Sequence, residues 1–198
     1  MSAELLHLVV AALRPDATDA DRDQATNLAG DLAGIDGVQA CVVGRSDAAL
    51  TAAVWIDRRD RIEGFAAAPE HMRFVIEGVA NATSGMWSAS IALDAAVPPP
   101  AAGARALWAF ALPAEPPAFE WEAQELLSAI GTLEDADGGA ITVYAGPTVE
   151  EREQFRAGGV VLAADGGAEA LSQRIEAAQA GWGALAGRLQ SATTKVMP

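Results

Sequence analysis

The stretch "DAAVPPPAAGA", residues 94–104, decides how the rest of the chain is read. Its run of three prolines is stiff and cannot join a sheet ladder or a helix interior, so it divides the chain into an N-terminal and a C-terminal half. Working back from it, "MWSASIAL" (86–93), "LTAAVWID" (50–57), "VQACVVGR" (38–45) and "LLHLVVAA" (5–12) are short apolar runs of strand length. The last of these is continuous rather than alternating, as in a strand buried on both faces. Between them, "RPDATDADRD" (14–23) starts a helix. Thr18 with Asp21 forms a capping box, and Ala25, Leu28, Leu32 and Ile35 continue at helical spacing until Gly34 and Gly37 end the element. The two runs at 38–57 form a hairpin. A second helix is expected over about residues 60–80, with Asp57 able to cap it and Pro69 interrupting it. The order is strand, helix, strand, strand, helix, strand, the ferredoxin-like unit.

Working forward, the order repeats. "RALWAFAL" (105–112) is a strand and "EPPAFEWEAQELLSAIGTL" (115–133) a helix. "GGAITVYAG" (138–146) and "AGGVVLAAD" (157–165) are strands, and "GAEALSQRIEAAQAGWGALAGRL" (167–189) is helical. "SATTKVMP" (191–198) is placed to close the sheet. Gly37 and Gly139 are separated by 102 positions, as are Gly44 and Gly146. The spacing points to an internal duplication with little residual identity. One such unit carries helices on only one face of its sheet, and the other face must be covered. The expected fold class is therefore α+β: two ferredoxin-like (βαββαβ) units on one chain, packed sheet to sheet as an intramolecular pseudo-dimeric barrel. The boundaries are a first unit over 1–94, a Pro-rich linker over 95–104 and a degenerate second unit over 105–198.

The net charge of −14 would repel nucleic acid and anionic membrane, so neither is expected as a partner. Glu4 precedes the first apolar run and no Lys or Arg does, which is unlike a signal peptide, and no run is long enough to span a membrane. A cytoplasmic protein is expected. The single cysteine, Cys41, cannot form an internal disulfide and sits among apolar neighbours as a small core residue.

Residues 6–91 resemble the stress-responsive α/β-barrel domain, a branch of the dimeric α/β-barrel superfamily. The segments that carry the likeness are "LHLVVAALRPDATD", "GIDGVQACVVGR" and "APEHMRFV". The second half resembles the family in its order of elements and in "GGAITVYAG". The resemblance implies that His7, on the first strand, and His71, in the second helix, face a cavity between sheet and helices. A polyketide cyclase of that family uses such histidines with a tyrosine and no cofactor. The tyrosine position falls on Phe65, and a further strand histidine of that enzyme falls near Leu50.

These residues define the candidate site. His7 and His71 are candidate catalytic groups, because imidazole transfers protons near neutral pH; a buried strand histidine and a half-exposed helix histidine are the plainer alternative. Trp55, Phe65, Phe74 and Trp87 could line a hydrophobic ligand cavity or simply fill the core. Glu70 and Asp57 could support the histidines or be a solvated residue and a cap. Two distant histidines and one cysteine give no metal-ligand spacing. Distant relatives in the superfamily bind haem through one histidine, yet nothing in the residues selects for it, and no cofactor is called for. Because the second half has no histidine, with Trp108 opposite His7 in the repeat comparison, the site is expected in the first half. Three functions stay open: binding a small hydrophobic or aromatic molecule; a cofactor-independent cyclase, isomerase or monooxygenase reaction; or a structural, stress-related assembly role. The pseudo-dimer leaves room for a further homodimer.

Overall fold

The computed structural model describes residues 2–93, 98–100, 102–114, 120–136, 140–149 and 154–198. Gly139, part of the linker (94–97 and 101) and the proline-rich start of the second-half helix lie outside the described residues. The first unit runs β1 (Leu5–Leu13), α1 (Asp19–Asp31), β2 (Val38–Arg45), β3 (Ala49–Ile56), a segmented helix, and β4 (Thr83–Ala92). The second runs β5 (Ala106–Pro113), a helix at Glu120–Ala136, β6 (Ile141–Pro147), β7 (Phe155–Ala163), a helix at Gly167–Gln179, and β8 (Gln190–Val196).

All eight strands belong to one antiparallel sheet in the order β4-β1-β3-β2-β8-β5-β7-β6. Each half keeps the 4-1-3-2 order of a ferredoxin-like unit, and β8 joins them by pairing with β2 at Gly44↔Val196 and Arg45↔Lys195. The far edges meet as well: Ile91 bridges Thr148, and the amide of Val149 donates to the carbonyl of Ser90 at 2.9 Å. The sheet thus curls into a nearly closed barrel. This is the α+β pseudo-dimeric barrel expected from the repeat.

Alternation along the strands sorts side chains to two faces. On β1, Leu5, Val9 and Leu13 pack with Phe65, Phe74 and α1 under the helices, while Leu6, Leu8 and Val10 point into the barrel. On β5, Leu107, Ala109 and Ala111 point inward, and Trp108 and Phe110 lie under the second unit's helices. The interior is a single apolar core drawn from both halves. Trp55 meets Tyr144 edge-on at 5.0 Å between ring centroids, and Trp87 meets Phe155 at 5.3 Å. Each such pair adds about 0.5–1.5 kcal/mol beyond the area it buries.

Local chemistry sets the helix ends. The capping box at α1 is formed, with the Thr18 hydroxyl oxygen accepting from the Asp21 amide and the Asp21 carboxylate accepting from the Thr18 amide. The second helix departs from a single rod. It begins as a 3₁₀ turn at Arg59–Arg61 and continues as α2 (Ile62–Ala67) and α3 (Pro69–Arg73). A π-helical stretch at Phe74–Val79 and a last turn, α4 (Ala80–Ala82), complete it. Asp57 does not cap it. The first turn begins at Arg59 with Arg58 in the capping position, one residue past Asp57, whose carboxylate lies 3.3 Å from Arg61; Arg61 also reaches Asp36 at 2.7 Å. The helices at Glu120–Ala136 and Gly167–Gln179 are α5 and α6, and no described helix is long and apolar enough to cross a membrane.

The repeated pair Gly44 and Gly146 marks the two seams. A Cβ on Gly44 would collide with the Thr194 hydroxyl on β8, and one on Gly146 with the carbonyl oxygen of Ala92 at the end of β4. No rotamer relieves the second clash, because the obstacle is backbone. Gly146→Ala is expected to destabilise the barrel by about 1–3 kcal/mol and to lower Tm by about 2–10 °C. Gly85→Ala, where nothing lies within 4 Å, is expected to leave Tm nearly unchanged in the same thermal melts.

Candidate functional site

His7 lies on the helix-facing side of β1, where Ser90 of β4 is its cross-strand partner. Its Nδ1 is 3.2 Å from the Ser90 hydroxyl. The helical segment brings two rings over it: Phe65 of α2 at 5.3 Å and His71 of α3 at 6.1 Å between centroids. Phe65 and His71 are themselves 5.0 Å apart, so the three rings form a triangle.

Pro69 builds this triangle. It stands at the first helical position of α3, where its missing N–H costs nothing, and the break at Ala68 turns α3 so that His71 folds back toward α2. The His71 Nδ1 is 3.0 Å from the carbonyl oxygen of Ala66. A carbonyl only accepts, so Nδ1 carries the proton and the neutral ring keeps Nε2 as an acceptor. Burial, with the nearby His71 adding to it, pushes the His7 pKa down to about 4. Burial also lowers His71, partly offset by its bond to Ala66. At neutral pH both are uncharged imidazoles.

The sheet divides the four candidate aromatics. Phe65 and Phe74 lie with the histidines under the helices, whereas Trp55 and Trp87 lie on the other face, inside the barrel. Beside the triangle a cleft of about 490 Å³ opens, lined by Ile35, Asp36, Arg61, Phe65, Ala68 and Glu70 among others. Phe65 stands between this cleft and His7, and Glu70 contributes to the cleft wall rather than to either imidazole. Two partners of the histidines, Ser90 and the Ala66 carbonyl, are supplied by the structure alone. The alternating serines of "SASIAL" are the sequence signal that could have marked the first; no side-chain pattern marks a backbone carbonyl.

The equivalent space in the second unit is filled. Trp108 is buried, stacked on Phe110 at 4.7 Å and 6.1 Å from Trp182. Cys41 donates to the Ala29 carbonyl at 3.5 Å, and burial pushes its thiol up to about 12, so it remains protonated. Among the described residues no cluster of three His, Cys, Asp or Glu side chains could hold a metal ion.

Comparison with solved structures places this architecture. An anthrone oxidase-like protein superimposes with a TM-score of 0.67 at 12% identity, covering 100% of this chain and 94% of its own. A monooxygenase-like protein from Lactobacillus acidophilus gives 0.56 at 9% identity, over 98% and 93%. A haem-binding protein from Thermus thermophilus gives 0.56 at 11% identity, over 100% and 92%. The chain has the dimeric α/β-barrel fold. No family model matches it, and no curated protein does. In this arrangement Phe65 and His71 lie over the His7 ring, at 5.3 and 6.1 Å between centroids, and leave no room for a macrocycle against it.

The buried His7 makes stability depend on pH. Its folded pKa of about 4 lies below the ordinary value of 6.5, so the unfolded chain takes up the proton first as pH falls. Its contribution is fully present above about pH 6.5 and is lost on the way down to about pH 4, by up to about 3 kcal/mol. Denaturant titrations of wild type and His7→Gln across that range should show the wild-type slope reduced in the variant; equal slopes would mean His7 is not held neutral by the fold.

Proposed function

We propose that the first unit binds a small, neutral, hydrophobic or aromatic molecule in the space between its sheet and helices, where the cleft ends on Phe65 with His7 and His71 behind it. The observation that carries this reading is the triangle itself: two uncharged imidazoles and an aromatic ring beside a cleft of about 490 Å³, within the usual range for small-molecule sites. Neutral imidazoles donate and accept hydrogen bonds without imposing charge, while the cleft wall carries Asp36, Asp60, Arg61 and Glu70, so the apolar end of a ligand would face Phe65 and its polar end these side chains. Phe65 is the movable wall, and turning it aside would join the cleft to the histidines. The fold neighbours include proteins described as monooxygenase-like, anthrone oxidase-like and haem-binding, so small-molecule chemistry on this fold has precedent.

A second reading, proton transfer by His7 and His71 without a cofactor, is favoured by the Ser90 contact that orients His7 and by the proximity of the two rings. A pKa of about 4 weakens it, because a general base works best when its pKa lies near the working pH. Binding is therefore placed first.

The test is a thermal-shift screen of neutral aromatic compounds against wild type, His7→Ala/His71→Ala and Phe65→Ala. Hits that occupy the cleft should lose at least about tenfold in affinity in the double-histidine variant, about 1.4 kcal/mol, and change affinity when Phe65 is truncated. A screen in which no hit loses affinity in either variant would remove the site from this cleft.

A further inference from the structure

The barrel interior has its own opening, away from the histidines. Where β1 ends and β3 begins, at one mouth, the walls are Ala12, Ala49, Gly85 and Ala192, and the ring of Trp87 forms one side. These small residues leave a bowl of about 480 Å³ that draws on both halves of the chain. At the opposite mouth, Pro100, Ala102, Gly103 and Ala104 of the linker lie with Tyr144 and Leu162 around a space of about 180 Å³.

We propose that this bowl is a second binding site, for a neutral aromatic molecule that carries a hydroxyl group. Trp87 supplies the reason for an aromatic. One part of its half-buried indole is packed on Phe155 at 5.3 Å, and the remainder faces the bowl as a flat apolar surface. The lining supplies the reason for neutrality: it contains no Asp, Glu, Lys, Arg or His, so a charged ligand would be desolvated without a counter-charge.

Thr51 supplies the reason for the hydroxyl. It is fully buried, and its Oγ1 has no hydrogen-bond partner. Alternation along β3 places it on the interior face, between Ala49 and Ala53; its register partner across the ladder is Val10, another residue of the bowl. Thr51 lies beneath the lining of the bowl rather than in it, whereas Ser46, Ser191 and Thr193 line the bowl itself; a buried hydroxyl without a partner is costly, on the order of 1–3 kcal/mol, and a ligand hydroxyl that reached past Val10 and Ala49 could both donate to it and accept from it. The indole Nε1 of Trp55, deeper along the same strand face, is likewise buried without a partner, so the interior below the bowl is short of polar partners.

The experiment is a titration of 2-naphthol into the full-length protein, monitored by tryptophan fluorescence and calorimetry. Wild type should bind saturably. Ala192→Phe, which fills the bowl, should weaken binding at least tenfold; Ala12→Phe, at the exposed rim, does the same if the first variant fails to fold. Naphthalene should bind more weakly than 2-naphthol, Thr51→Val should erase that difference, and naphthalene-2-sulfonate should bind at least tenfold more weakly. Arg58→Ala, on the exposed surface and outside both the bowl and the cleft, should leave 2-naphthol affinity unchanged. The proposal is overturned by no saturable binding, by affinity unaffected by bowl-filling, by a preference for hydroxyl that survives Thr51→Val, or by a sulfonate that binds as well. Loss of binding in His7→Ala/His71→Ala with binding by the bowl-filled variant intact would also overturn it, and would place the ligand in the cleft beside Phe65 instead.

Discussion

Each four-stranded sheet in this chain is apolar on both faces, and its own helices can cover only one. The rest of the structure depends on where the other face goes. Leu6, Leu8, Val10 and Ala53 from the first unit meet Leu107, Ala109, Val160 and Leu162 from the second in a common interior. The Trp55–Tyr144 and Trp87–Phe155 contacts lock the two sides together. Since burying one such aliphatic side chain is worth about 1.5–3 kcal/mol, leaving this face in water would cost either sheet more than a small domain's margin of stability. The seam glycines reflect the same constraint, because Gly44 and Gly146 sit where the two units' edge strands come closest.

Much of this was legible in the residues. Runs such as "LLHLVVAA" announce strands buried on both sides, and the break at residues 94–104 with the repeat beyond it announces a second unit to do the burying. The capping box at Thr18 was readable because it depends on residues three apart. The partition of the aromatics was not. Along "LTAAVWID" every residue but the threonine and aspartate is apolar, so nothing in the pattern tells the inner face from the outer, and Trp55 could not be separated from Phe65. Asp57 misled for a different reason: its partner Arg61 is near in sequence, but the choice between ion pair and helix cap is settled by how the chain turns after β3. The bowl at the barrel mouth was invisible because alanine and glycine mark space only once their neighbours are placed.

The two repeated units are unequal. On the helix-facing side, the first unit holds His7, Ser90 and His71 around Phe65, while the second fills the matching volume with Trp108, Phe110 and Trp182. Large aromatics consume space that polar residues leave negotiable, so one half is committed to packing and the other retains hydrogen-bonding groups beside a cleft. The interior remains common property, with the bowl lined by strands of both units.

One sheet and one interior shared by the two repeats predict that they open as a single cooperative barrel rather than as two units tethered by a linker. Native-state hydrogen exchange tests this directly, since strand amides report the free energy of the opening that exposes them. Interior amides of β1 and β5, and the seam amides of Met197 bonded to Val43 and Val149 bonded to Ser90, can be monitored together. A single barrel predicts that β1 and β5 exchange with one shared opening free energy, and that amides at both seams are protected. Two separate levels, one for each half, with unprotected seams, would contradict it.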